Sequence, residues 1–201
     1  MYKIVGFPMT RAIRVIWMLE ELGETYELSP APPRSDEIRA LNPSGKVPVL
    51  IDGDLVLPES VAICTYLADK HGKCTFPAGT KERAIQDSFT QFAVDVLEGA
   101  LWTAAKNSFI HPEDIRVKEI KSVCKREFSD GLKILETRLG AGPHVMGETF
   151  TVPDIILGHC GGWAVNAKFD LPKEGRVYDY FKAVRARPAY QAMMAKVTEA
   201  A

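Results

Sequence analysis

Val47 to Ile51 and Leu55 to Leu57 are two short apolar runs separated only by Asp52-Gly53-Asp54. Asp-Gly supplies the positive φ that a tight turn needs, with a twist that suits the flanking strands. The segment therefore predicts an antiparallel hairpin. An isolated hairpin is not stable in water and must join a larger sheet. The preceding residues supply one. Ile4-Val5 begins a strand that ends at Gly6-Phe7-Pro8, and Tyr26 to Leu28 is a second short strand. Between them Thr10 to Leu22 predicts a helix, with Thr10 as N-cap and Gly23 as C-cap. Its apolar positions, Ile13, Val15 to Leu19 and Leu22, run almost all the way round, as in a helix buried against a sheet. Pro30, Pro32 and Pro33 make a loop, Ser35 to Leu41 a short helix, and Glu59 to His71 a helix ended by Gly72. Strand, helix, strand, helix, hairpin, helix implies a mixed sheet with helices packed on it.

The pattern changes at residues 75–81, where Pro77, Gly79 and Thr80 give linker composition. Residues 1–74 form the α/β domain and 82–201 an all-α domain with no convincing strand. From Glu113 to Leu139 a helix is expected, with Phe128, Leu132, Leu135 and Leu139 at helical spacing and Glu113 and Asp114 at its start. Gly140 to Pro143 stops it. Thr151-Val152-Pro153-Asp154 is a capping box that opens another helix, a structural feature rather than a ligand site.

Lys plus Arg is 25 and Asp plus Glu 26, so charge gives no reason to expect nucleic acid or an anionic membrane as partner. No apolar run approaches the ~20 residues needed to span a bilayer, and the first residues lack a signal-peptide core. The protein reads as cytoplasmic. Cys64, Cys74, Cys124 and Cys160 contain no Cys-x-x-Cys pair and read as free thiols. His71, His111, His144 and His159 are scattered, so no metal site is expected.

No Gly-x-Ser-x-Gly elbow is present. Pro43-Ser44-Gly45-Lys46 lacks the rest of a phosphate loop, and Gly158 to Gly162 suits close helix packing. Three stretches carry the chemistry. Lys46-Val47-Pro48-Val49-Leu50 puts a proline at the mouth of a strand, where a cis bond would turn the Val47 N–H and C=O toward an extended peptide. Pro58-Glu59-Ser60 opens a helix. Its free N–H groups and the Ser60 hydroxyl suit a carboxylate, and Glu59 suits an ammonium; plain capping explains the same residues. Phe7-Pro8-Met9-Thr10-Arg11 places a hydroxyl at a helix start, where it can stabilise a thiolate or serve only as a cap.

These residues resemble the cytosolic glutathione transferase family. The resemblance rests on Arg14-Val15 in a first helix ending Leu19-Glu20-Glu21-Leu22-Gly23, on Asn42-Pro43-Ser44-Gly45-Lys46-Val47-Pro48-Val49-Leu50, and on Pro58-Glu59-Ser60, in order and at matching spacing. It continues to Thr151-Val152-Pro153-Asp154 and covers essentially the whole chain. It implies a thioredoxin-like N-terminal domain, a helical C-terminal domain and a homodimer. It also implies that glutathione is the co-substrate, with Val47 and cis Pro48 holding the cysteinyl part, Glu59 and Ser60 the γ-glutamyl end, and Lys46 near a charged end. The family uses Tyr, Ser or Cys near the end of the first strand to activate the thiol. This chain offers Thr10, with Arg11 adding positive charge.

The function expected is conjugation of the glutathione thiolate to a hydrophobic electrophile, with Met9, Trp102 and Phe109 lining the electrophile pocket. The alternatives are a glutathione-dependent dehalogenase, isomerase or ether-cleaving relative, or a binding module without catalysis. A disulfide reductase is disfavoured, because no cysteine lies in the turn after the first strand.

Overall fold

The structure is a computed structural model that describes residues 1–200. Two compact units are present. One comprises Met1–Ala78 and the segment from Arg185 onward, the other Gly79–Val184.

The first unit holds the only sheet among the described residues, in strand order β2-β1-β3-β4. Its strands are β1 (Tyr2–Val5), β2 (Tyr26–Ser29), β3 (Val49–Asp52) and β4 (Leu55–Pro58). β1 and β2 are parallel, joined by the crossover helix α1 (Ile13–Leu22); β3 is antiparallel to both β1 and β4. Asp52 pairs with Leu55, so the hairpin is present but its two turn residues are Gly53-Asp54, with Gly53 first at φ 62° and Asp52 still in the strand rather than in an Asp-Gly turn.

Alternation sorts the strand residues. Val5 and Val49 join Ala31 and Ile38 in one cluster, under the short helix α2 (Asp36–Leu41). Ser35 caps α2 by accepting from the Ile38 N–H at 3.3 Å. Ile4 and Leu50, both fully buried, point to the other face. There α1 packs against α3 (Ser60–His71).

The last helix, α9 (Pro188–Glu199), also packs on α1. The sequence reading places 82–201 in one helical domain, whereas the compact units group this helix with the first unit. Its attachment is specific. Arg187 donates twice to Glu21, both at 2.7 Å, and the Trp17 indole donates to the same carboxylate at 3.0 Å. The Trp17 and Tyr190 rings meet edge to face with centroids 4.9 Å apart. Burial of α1 all round, expected from its apolar pattern, thus has three sources: the sheet, α3 and α9.

In the second unit α4 (Lys81–Phe92) and α5 (Gly99–Ala105) belong to one helical run that continues through wide turns at Ala93–Glu98 and Lys106–Ile110. It packs on α6 (Ile120–Arg138) and α7 (Val152–Asn166), and α8 (Arg176–Arg185) follows. The helix expected from Glu113 begins only at Ile120. Glu113 and Asp114 lie in a single 3-10 turn of a loop instead. Side chains hold that loop. Asn107 accepts from the Val117 N–H at 3.0 Å, and Arg116 donates to the His111 C=O at 2.7 Å, giving the backbone an alternative to helix.

No helix among the described residues is long and apolar enough to cross a membrane. All four cysteines are free thiols.

Candidate active site

Strand register brings the three stretches to one end of the sheet. Val5 lies opposite Val49, and Val49 opposite Pro58. The chain after β1, the chain before β3 and the chain after β4 therefore leave the sheet together. Gly6 is where two of them touch. A Cβ on it would stand 2.9 Å from the Val47 Cβ, closer than side chains tolerate, and would touch the Pro48 Cα at 3.4 Å.

The Val47–Pro48 bond is cis, as the sequence reading expects. The loop before it is tied by the buried Asn42. Its amide donates to the Lys46 C=O at 2.9 Å, and its oxygen accepts from the Ser44 N–H at 3.1 Å and the Ser44 hydroxyl at 2.9 Å. Arg34 N–H donates to the Gly45 C=O at 2.8 Å, pinning the proline-rich loop alongside. Within this network the Val47 N–H and C=O have no hydrogen-bond partner among the described residues. Such a half-buried, unpaired backbone is what an extended peptide pairs with. Lys46 is exposed beside it.

At the third stretch Glu59 has φ 71° and ψ 106°. Positive φ is uncommon for a residue with a Cβ and costs of the order of 1–3 kcal/mol. The side chain of Glu59 is exposed and caps nothing. The first N–H groups of α3 thus keep their donor capacity. Ser60, the first residue of the helix, is 4% exposed. Its hydroxyl oxygen accepts from the Arg14 guanidinium at 3.2 Å. Arg14 is buried in the first turn of α1, and sequence reasoning gave it no role of its own. The available signal was an arginine set among the apolar residues Ile13 and Val15 to Leu19, the only basic residue of α1.

Thr10 caps the entry to α1. Its backbone is extended at φ −124°, ψ −160°, and its hydroxyl oxygen accepts from the Ala12 N–H at 3.2 Å. The hydroxyl proton goes to the Phe7 C=O at 2.6 Å. In this state the proton is committed inside the turn, so donation to a thiol requires that short contact to be exchanged. Arg11 is half-buried and Met9 is exposed. Cys64 lies one turn into α3, and burial pushes its thiol up to about 12, which leaves it protonated and unreactive.

A curated relative, glutathione S-transferase 1 of Schizosaccharomyces pombe, is 30% identical over 206 residues, spanning 89% of this chain and 88% of its own length. The chain belongs to the glutathione S-transferase family. Residues 6–75 match the family model for the glutathione S-transferase N-terminal domain. Glutathione S-transferase F14 of Arabidopsis thaliana is 36% identical over 127 residues, which is 59% of this chain and 48% of that relative. Among solved structures, glutathione transferase URE2P6 of Phanerochaete chrysosporium in complex with oxidized glutathione superposes with a TM-score of 0.85. It is 26% identical, and the match covers all of this chain and 97% of that one. The α/β unit is the thioredoxin-like domain of this family of enzymes, and the helical unit its C-terminal counterpart.

The transferase's helical unit carries the other expected residues. Trp102 is half-buried on α5 and meets Trp163 of α7 edge to face at 6.3 Å. His159, one turn earlier on α7, lies 5.8 Å from the Trp163 ring. These three rings form one cluster, which gives Trp163 and His159 more prominence than the sequence reading did. Phe109 is 65% exposed and makes no ring contact among the described residues. No described group of three or more His, Cys, Asp or Glu is placed to hold a metal ion.

Proposed function

We propose that the chain is a glutathione transferase that binds glutathione along the end of its sheet and delivers the thiolate to a hydrophobic electrophile. The observation that carries this reading is the unpaired Val47 backbone beside cis Pro48, set by strand register next to the open start of α3. The Val47 N–H and C=O pair with the cysteinyl residue as a neighbouring strand would. The γ-glutamyl carboxylate takes the Ser60 hydroxyl and the first N–H groups of α3, and its ammonium faces Glu59. Lys46 serves the glycyl carboxylate.

Thr10 is the proposed activator. A hydroxyl donating to sulfur favours the thiolate, and Arg11 adds positive potential. Met9, Trp102 and Phe109 are the residues proposed to meet the electrophile, with the active form a homodimer. A second reading has one observation in its favour: the Thr10 proton is held by Phe7, which suits a glutathione-binding module with little turnover.

Titrating glutathione into the purified protein at neutral pH, with thiolate absorbance as the readout, separates the two. A saturating rise is expected for the transferase. Binding by calorimetry without a rise selects the binding module, and no binding overturns both.

A further inference from the structure

We infer that Arg14 is the positioning residue of the γ-glutamyl subsite, acting through Ser60; this rests on the proposed glutathione site. Arg14 is 1% exposed, and every other buried residue of α1 is apolar. A guanidinium is not tolerated in such a place without polar partners. One of its partners is the Ser60 hydroxyl oxygen, at 3.2 Å, with both groups buried. α1 packs on α3, and the Cys64 thiol reaches the Arg14 C=O at 3.5 Å, so the backbone beneath Ser60 is fixed by the same two helices.

The consequence for Ser60 is directional. Its oxygen lone pair faces the guanidinium, so the hydroxyl hydrogen turns away from Arg14 and Ser60 becomes a donor. An oxygen that accepts from a cation donates more strongly in turn. The α3 N-terminus presents further N–H groups beside it. The site therefore recognises an anion with two acceptor oxygens, and on the bound peptide that group is the γ-glutamyl α-carboxylate. Arg14 acts as buried positive charge behind the hydroxyl, in a medium that screens it little.

Calorimetry with glutathione and with cysteinylglycine, which lacks the γ-glutamyl group, tests this. Arg14→Gln is expected to weaken glutathione about tenfold, as loss of a charge-assisted contact does, and to leave cysteinylglycine unchanged. With Ser60→Ala already in place, the further effect of Arg14→Gln falls below about twofold, because the two residues act as one unit. Arg14→Lys keeps the charge and is the safer variant for folding. It loses the directed contact and weakens glutathione about threefold, again with cysteinylglycine unchanged. Equal weakening of both ligands means that Arg14 only supports the fold, and unchanged glutathione affinity in Arg14→Lys and Arg14→Gln means that it does not act on the site; either overturns the inference. Wild-type protein that binds no glutathione overturns the functional reading together with it.

Discussion

Helices α3 and α7 begin with the same two kinds of side chain, a carboxylate and a hydroxyl, and use them in opposite ways. At α7 the group closes on itself. Asp154 is fully buried and accepts from the Thr151 N–H at 2.8 Å, the Val145 N–H at 3.0 Å and the Tyr180 hydroxyl at 2.9 Å, and the box is completed by the Thr151 side chain. At α3 the carboxylate faces solvent from a backbone held at positive φ, and the hydroxyl is backed by a buried cation. A helix start whose hydroxyl and carboxylate are engaged within the chain's own capping box is a structural joint. One whose donors stay available, at a cost in backbone strain, is a place to receive something.

The largest effect expected from this contrast is at the closed joint. Asp154→Ala should destabilise the protein by about 3–5 kcal/mol, since it strands several buried donors at once. Urea unfolding gives the number, and glutathione affinity per folded molecule should not change. A loss of affinity at unchanged stability would erase the distinction between the two helix starts.

Next comes Thr10, which stands between the two types because it is both a cap and the proposed activator. Thr10→Ala should lower kcat about 10- to 100-fold through loss of a hydrogen bond to the thiolate, while the lost cap costs about 1 kcal/mol of stability. Steady-state kinetics and unfolding on the same preparation separate the two. A stability loss with kcat intact would make Thr10 a closed joint like Asp154.

Ser60→Ala should weaken glutathione about tenfold and cost about 1–3 kcal/mol of stability, because buried Arg14 loses an acceptor. Equal affinity by calorimetry would remove the head-group assignment. The smallest effect sharpens the contrast most. Glu59→Gly should stabilise the fold by about 0.5–1 kcal/mol, because glycine adopts positive φ without a steric penalty, yet bind glutathione less well. Stabilisation without loss of binding would mean that the strained backbone serves no ligand.

Much of this was legible in the residues. Asp52-Gly53 announced the hairpin, Gly23 and Gly72 marked two helix ends at φ 76° and 60°, and Thr151-x-x-Asp154 announced the closed cap. Pattern alone also placed Val47-Pro48 and Glu59-Ser60 at the mouths of elements. Two kinds of information stayed hidden. One is pairing across long separations. Nothing in the local sequence of α9 says that Arg187 will meet Glu21 rather than a neighbour in the helical unit. The other is the direction of a hydroxyl proton. Thr10 suits a cap and a thiol donor equally well on paper, and only the 2.6 Å contact with Phe7 shows where its hydrogen points. The late start of α6 belongs with these, because Asn107 reaches across ten residues to hold Val117.

The packing of α9 on α1 also sets an order of events during synthesis. The first unit is not continuous along the chain: its sheet and first three helices emerge before residue 79, and its closing helix only after residue 184. At ribosomal speeds of roughly 5–20 residues per second, the interval is on the order of ten seconds. Throughout it the Trp17 indole and the Glu21 carboxylate wait without Tyr190 and Arg187. For that time α1 carries an uncovered flank, closed only when the last helix arrives.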